Sequence, residues 1–525
     1  MEKSIDRDAK PFGTATAKDM ELDDVNTTHI APKYQGTEED KVHMKTLGRQ
    51  QETQRVFTFV TMLGFGSTLI VTWETLLTNS FAIITNGGTA GLFWGFLIVF
   101  GGFLFVYASI AELSSMAATA SGQYHWVSEH APPWAQRYLS YITGWLCIAG
   151  WQGGVTGIGM LVATIIQGLI ILNNPNYVPQ GWHGTLLTIA IVLFCVLFNT
   201  YGARRLPLVE GSLAVLHFGG MTLAPRNNAH DAFLQINNGG GWPSDGLSLL
   251  VGLYPLTVSL NGFDSQVHMS EETKDATRAM PRSIMWAAYI NGFLGFLMAI
   301  TMMFTLGDLD EILLTPTGYP FIQVFFNVTN SNVGTTLMTV IMILPLVGSV
   351  IACVATASRQ VWSFARDEGV PFSATVAHVS PRWSIPINAI LVSLVICVLL
   401  ALINIGSAVA LNAVLALGTG SILASYLICI SCIALKRITG PPLPPRQWSL
   451  GKWGLPINLV AICWLVPIFV LIQFPGVTPT TAATMNFSSL LIGSVVVFAT
   501  LYWFVKGRRV YVSPKERLHR ELESM

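Results

Sequence analysis

The chain is 525 residues long, which in a soluble protein would mean three or four domains, yet only 11% of it is charged, 52% is hydrophobic and the mean hydropathy is +0.53. Half of the charged residues, 29 of 58, fall in the two ends, residues 1–55 and 506–525, which leaves the 450 residues between far below the roughly 25% charge of a soluble domain. A water-soluble fold is excluded, and a net charge of zero gives no reason to expect nucleic acid or any other strongly charged partner.

Residues 1–55 are polar and rich in Asp, Glu, Lys and Thr. They are expected to form a disordered cytoplasmic tail, with no cleavable leader ahead of the first apolar run. From there, apolar stretches of 18 residues or more, cut by short Gly, Pro, Asn or charged breaks, predict membrane-spanning helices. We place twelve: Phe57–Ile84, Gly91–Ser114, Gln136–Leu172, Gly184–Tyr201, Leu206–Leu223, Leu247–Val267, Ile284–Leu306, Gly334–Val361, Pro386–Ile403, Ala408–Leu435, Pro456–Phe474 and Phe487–Val505. A basic cytoplasmic tail, 506–525, follows. With the N-terminus inside, 28 of the 29 Lys and Arg residues lie on the cytoplasmic side and only Arg226 lies outside, so both termini are expected in the cytoplasm. The sequons at Asn327 and Asn486 then fall in outer loops as glycosylation candidates.

Three spans depart from a plain apolar helix. Span one reads Leu63-Gly64-Phe65-Gly66-Ser67-Thr68, and span six reads Ser259-Leu260-Asn261-Gly262-Phe263-Asp264 after Pro255. Glycine weakens a helix interior by about 1 kcal/mol, and unwound backbone at membrane depth survives only where it is buried or lines a cavity. Interruptions at positions one and six suit a five-plus-five inverted repeat with the substrate between the two broken helices; close helix packing at the glycines is the competing reading. Span five offers only 18 residues, carries Glu210 and His217, and is short against the roughly 20 needed to cross.

Four carboxylates fall in or beside apolar runs: Glu74, Glu112, Glu210 and Asp264. Intramembrane acids default to functional hypotheses. Glu112 and Glu210 sit near cytoplasmic ends, where a paired structural role is favoured. Glu74, Asp264 and His217 are the proton-coupling candidates. His268 with Glu271 and Glu272 has metal-like spacing, but Ser270 before two glutamates reads as a helix start, and no metal site is expected. All seven cysteines, the Cys429-x-x-Cys432 pair included, lie in apolar runs and are expected to pack as small apolar residues. No catalytic or cofactor fingerprint stands in a plausible context, so no enzyme and no cofactor is expected.

The segments Ala111-Glu112-Leu-Ser-Ser-Met with Ser121-Gly122-Gln123-Tyr124-His125-Trp126, Asn261-Gly262-Phe263-Asp264 with His268-Met269-Ser270-Glu271-Glu272, and Ser358-Arg359 through Arg366-Asp367 with Gly369-Val-Pro371 resemble fungal amino acid/choline/GABA permeases of the amino acid-polyamine-organocation superfamily. The resemblance covers about residues 55–505. It implies an all-α polytopic carrier with a five-plus-five inverted repeat (about 56–223 and 246–403) and two further helices (408–505). It also implies a small amine or amino acid substrate, proton coupling, alternating access and a fungal plasma membrane, with the vacuolar membrane as a second location. Relatives have a longer fifth span, so about ten residues look missing after Gly219-Gly220, through a short helix or a faulty gene model. A nutrient sensor on the same fold, or a carrier of a specialised amine metabolite, is the alternative.

For the substrate we single out Gly64, Gly66, Ser67, Thr68, Ser259, Leu260, Gly262, Phe263 and Trp151. A helix restarting at Thr68 would offer N–H groups to a carboxylate, and carbonyls freed at Ser259, Leu260 and Gly262 would suit an ammonium. A quaternary ammonium would need aromatic faces instead, for which Trp151, Phe263 and Trp73 are available.

Overall fold

The computed structural model describes residues 30–201 and 228–524, apart from positions 382, 408, 441 and 483. The regular elements among the described residues are all helices, joined by loops, with two isolated backbone bridges, Phe57 to Thr273 and Asn86 to Asn238. Ten helices among them are long and apolar enough to cross a membrane: Phe59–Thr78, Gly88–Met116, Gln136–Asn173, Gly181–Thr200, Ala276–Thr305, Asn332–Arg366, Ile387–Gly406, Ala410–Thr439, Gly451–Leu471 and Ser488–Arg520. They match spans one to four and seven to twelve and keep those ordinals below. Span five, with Glu210 and His217, lies outside the described residues. Span six is a 14-residue helix, Asp245–Val258, then a non-helical stretch and the four-residue helix Ser265–His268.

Burial sorts the spans into layers. In their apolar windows, spans one and ten are 72% and 78% buried against 17% for span twelve, so the first pair forms the centre and the last faces lipid. Span three packs against spans ten, eight and four, while span seven packs against spans two and one. Small residues permit the closest of these approaches. A Cβ on Gly153 would stand 2.8 Å from the Gly418 nitrogen, and one on Gly418 would stand 2.9 Å from the Gly154 nitrogen, so spans three and ten meet backbone to backbone.

The expected disorder of the N-terminal tail does not extend to residues 30–55. Thr37 caps the helix Glu38–Thr46 with a capping box, and Met44, Leu47, Arg49 and Arg55 are buried against the helical bundle. The other tail is ordered too: Tyr511 is buried with its hydroxyl 2.8 Å from Ser140 Oγ, and Pro514–Ser524 is a helix. Polar composition misleads here because the tail charges find partners on the helical bundle: Arg49 and Arg517 on Asp367, and Arg55 on the Ser270 and Thr273 carbonyls.

Candidate functional site

Span one is broken, but not at the glycines. It runs as a regular helix from Phe59 to Ile70, stops at Val71 in the left-handed region (φ 45°, ψ 49°), and restarts as Thr72–Thr78. The break expected at Gly64–Ser67 thus lies about one turn further on, and Gly64, Gly66, Ser67 and Thr68 are helical. One long-range and one local hydrogen bond flank the break. Ser349 of span eight donates to the Leu69 carbonyl, and the Thr75 hydroxyl donates to the Val71 carbonyl at 2.8 Å. A β-branched residue in this region costs on the order of 1–3 kcal/mol, which the contacts around it must hold. Gly66 has a packing role, because a Cβ there would stand 1.7 Å from Gln266 Nε2. Thr68 lies against Gly348 of span eight.

Span six breaks where its sequence predicts. Pro255 removes one helical donor, the helix ends at Val258, and Gly262 takes a φ of 107° that favours glycine. Two of the carbonyls expected to be free are occupied, however. The Tyr107 hydroxyl donates to Leu260 O at 2.5 Å, and the Ser265 N–H donates to Gly262 O at 3.0 Å. Ser259 is buried with its hydroxyl 3.4 Å from Pro255 O, and Phe263 is buried edge-on to Tyr107 with ring centres 4.7 Å apart.

Between the two breaks lies a narrow cleft with a cavity volume of about 70 Å³. Leu69 and Ile70, which end the first half of span one, line it together with Val258, Asn261 and Gly262 from span six. Spans three and ten supply the opposite wall, with Trp151 and Thr419 among its residues, and Thr75 and Asn79 complete the lining beyond the span-one break. No lining residue among those described carries a charge. Of the nine predicted substrate residues, Gly262 and Trp151 line the cleft and the other seven do not. Asn79 Nδ2 and Asn261 Oδ1 are buried without a hydrogen-bond partner.

The buried acids divide by their neighbours. Glu74 is fully buried on Thr72–Thr78. Asp264 is also fully buried; one oxygen accepts from the Tyr426 hydroxyl, the other from the Gln123 amide, and His268 Nε2 stands 3.6 Å away. His268 lies in no solvated loop. Its Nδ1 is 2.8 Å from Ala120 O and its Nε2 is 3.1 Å from Trp151 Nε1, which ties it to the cleft wall. The four-residue spacing of Asp264 and His268, one helical turn, is the signal that could have found the pair. Glu112 is paired with Arg437 and, at 2.8 Å, with Arg446, and it accepts the Leu450 N–H at 3.1 Å.

The face of the bundle that carries both tails, below the cleft, is closed by buried ion pairs. Both oxygens of Asp367, at the end of span eight, lie 2.7 Å from Arg49 Nη2. The same carboxylate accepts from the Tyr124 hydroxyl at 2.9 Å and from Arg517 of the C-terminal helix at 3.2 Å. Glu271 pairs with Arg366 at 2.6 Å, and Glu272 pairs with Arg359 at 2.8 Å. Burial pushes the Glu271 carboxyl up, but Arg366 and then Arg49 outweigh it and hold it below the ordinary glutamate range. Asp40 caps the N-terminus of span seven, accepting from the Asp275 and Ala276 N–H groups at 2.9 and 3.1 Å. Burial raises Asp40 as well; Arg55, 3.3 Å away, and those N–H groups bring it below its ordinary value. His43 accepts the Ala118 N–H at 3.2 Å, and burial, then His125 and Arg55, lower its pKa from 6.5 to about 4.

No group of three or more His, Cys, Asp or Glu among the described residues could hold a metal ion. Cys429 and Cys432 are free and buried, whereas Cys463 is exposed. Of the two sequons, Asn327 sits on the helix Pro320–Thr329 with its amide nitrogen 3.2 Å from Glu311. Asn486 spends its amide nitrogen on the Ile472 and Phe474 carbonyls at 2.7 and 2.9 Å, which ties it down as a turn residue.

Comparison with known proteins agrees with this architecture. The profile of the amino acid permease family matches residues 57–497. A choline transporter of Saccharomyces cerevisiae is 30% identical over 480 residues, covering 90% of this chain and 84% of that protein. An amino-acid permease of Arabidopsis thaliana is 27% identical over 498 residues (90% and 96%), and amino-acid permease 2 of Neurospora crassa is 25% identical over 501 (92% and 90%). Helices that span a bilayer, a cleft between two broken ones and a match across most of the chain lead to one conclusion: this is an integral, multi-pass membrane transporter that belongs to the amino acid permease family.

Proposed function

We propose that the chain carries a small hydroxylated quaternary or protonated amine of the choline type, and that the uncharged cleft between the two breaks is where it binds. The observation that carries this reading is the make-up of the cleft wall. Two helices of 12 and 14 residues deliver their C-terminal ends to it, through Leu69, Ile70 and Val258, and C-terminal dipole ends favour a cation. Trp151 offers an aromatic face, which holds a quaternary nitrogen that cannot donate hydrogen bonds. Asn79 Nδ2 and Asn261 Oδ1 offer one donor and one acceptor, the complement of a hydroxyl. No arginine or lysine lines the cleft to receive a carboxylate. The choline transporter of Saccharomyces cerevisiae among the relatives points the same way.

The carrier works by alternating access, with proton coupling, rather than as an enzyme. Opening inward means parting the Arg49–Asp367, Arg366–Glu271 and Arg359–Glu272 pairs while the outer half of span one closes over the cleft. The supporting frame is a five-plus-five repeat over about 56–223 and 246–403 with two further helices. Both termini face the cytoplasm of a fungal plasma membrane, as the basic-residue asymmetry favours. Glu74 and Asp264 are the acids placed to take part in coupling.

An uptake screen tests this reading. In a host without its own permeases, labelled choline should enter saturably and be competed by other hydroxylated ammonium compounds, and far less by zwitterionic amino acids. Strong amino acid uptake that choline does not compete would overturn the substrate reading. Signalling without uptake would favour a sensor.

A further inference from the structure

We propose that Asp264 and His268 together form the proton-binding site of the carrier, and that His268 passes its protonation state to the substrate cleft through Trp151. The inference rests on the transport reading above. Its starting point is a tautomer fixed from both sides. An indole N–H only donates, so His268 Nε2, 3.1 Å from Trp151 Nε1, must accept; a carbonyl only accepts, so Nδ1, 2.8 Å from Ala120 O, must carry the hydrogen. His268 is therefore neutral in this conformation, with its basic lone pair directed at the tryptophan. A Cβ on Gly122 would stand 2.9 Å from His268 Cε1, so the ring is held in a tight slot.

Asp264 supplies the second half of the site. Its Oδ2 lies 3.6 Å from His268 Nε2, and its hydrogen-bond partners, the Tyr426 hydroxyl and the Gln123 amide, are neutral. The titratable groups that face the pair are Tyr107 from span two, Cys147 from span three, Cys353 from span eight, and Tyr426 and Cys429 from span ten. None of these is a cation. Glu271 and Glu272, next along the chain, are already matched with Arg366 and Arg359. With Asp264 ionised, the pair holds a buried net negative charge, and one proton on His268 makes it neutral. A buried charge without a counter-charge is expensive, and pairing removes that expense.

Proton uptake then has a mechanical result. A hydrogen on Nε2 would face the Trp151 N–H, so that bond is lost and the imidazolium turns its new donor toward Asp264. Trp151, a wall of the substrate cleft, is released from its anchor. When the proton leaves, Nε2 becomes an acceptor again and the anchor re-forms. No covalent step and no further cofactor is involved. The Trp151 indole is thus set in one of two positions by one proton bound outside the substrate cleft.

His268→Gln is the decisive variant, because an amide can still accept from Trp151 and donate to Ala120 but does not titrate. In proteoliposomes with the membrane potential held at zero and an outside pH one unit below the inside, a carrier moving one proton per substrate accumulates labelled choline up to about tenfold. We expect His268→Gln and Asp264→Asn to exchange labelled for unlabelled choline within roughly threefold of the wild-type rate, yet to bring the accumulation ratio to about one. The pH dependence of KM for exchange should vanish in both, a readout that a merely structural role would not move. Tenfold accumulation by His268→Gln overturns the assignment. If that variant does not reach the membrane, tenfold accumulation by Asp264→Asn overturns it in the same way. A wild type that exchanges choline but ignores the pH gradient also overturns the assignment and leaves the transport reading standing. A wild type that moves no amine at all removes both.

Discussion

The cleft and the tail-bearing face beneath it are built on opposite electrostatic plans. The cleft is walled by apolar, amide and aromatic groups and holds no charged side chain among the described residues. The tail-bearing face concentrates Arg49, Arg55, Arg359 and Arg366 against Asp40, Asp367, Glu271 and Glu272, all largely withdrawn from water. Isolated from water, such pairs stabilise little in net terms but are costly to leave half-made. That is the behaviour wanted of a seal that must be either fully formed or fully parted. A cargo site has the reverse need. It must grip its cargo weakly enough to release it, and for the proposed cation, dipoles with an aromatic face would achieve that where a fixed carboxylate would trap it.

The largest effect should come from attacking the seal. Asp367→Ala removes the one carboxylate shared by Arg49, Arg517 and Tyr124. Stranding two cations should cost about 3–5 kcal/mol. The readouts are a lowered melting temperature and labelling of single cysteines in the cleft by a thiol reagent applied from the inside; a variant as stable and as closed as wild type would show that the pairs are decorative. Next comes the cleft. Trp151→Leu should raise KM for choline about 30-fold, the equivalent of about 2 kcal/mol of cation–π attraction, while an unchanged KM would place the ammonium elsewhere.

Acidification separates the two regions further. His43 has its pKa lowered from 6.5 to about 4, so the docked tail requires it neutral. For a base lowered on folding, the contribution to stability is complete above the unfolded value of 6.5 and is lost as pH falls toward 4. Docking of residues 30–55 should therefore loosen by about 1 kcal/mol over that window, allowing for the partial exposure of the ring. Amide exchange in Glu38–Thr46 would report it, and a His43→Gln variant should abolish the dependence. Asp40 and Glu271, both held below the ordinary range, stay ionised through the same window and should not contribute. The smallest effect probes the hydroxyl. Asn79→Ala should weaken choline about fivefold, or about 1 kcal/mol, and leave tetramethylammonium inhibition unchanged. Equal losses for both would mean that Asn79 shapes the cleft without reading the alcohol.

What the sequence reveals follows how local its causes are. Spans one to four and seven to twelve are legible because a bilayer demands about 20 apolar residues in a row. The break in span six is legible because Pro255, Gly262 and Asp264 all lie within it. The break in span one is not: it falls at Val71, a β-branched residue with no local signal, beside the Leu69 carbonyl that Ser349, 280 residues further on, binds. Gly64 and Gly66 have the composition of a hinge and yet are helical, with Gly66 making room for Gln266. His268 stands in sequence beside the glutamates that follow it, although its working partners are Asp264 one turn back and Trp151, 117 residues away.

Asp367 has one more consequence, which concerns time. A ribosome delivers Arg49 first, Asp367 comes 318 residues later, and Arg517 follows after another 150. While the early spans are being inserted, Asp367 does not yet exist, so the Arg49–Asp367 pair cannot form until span eight has been made. When Asp367 emerges the first bond can form, and when Arg517 emerges the second can join it on the same carboxylate. A chain that stops short of Arg517 would leave that carboxylate with one cation instead of two and carry the imprint of its own interruption.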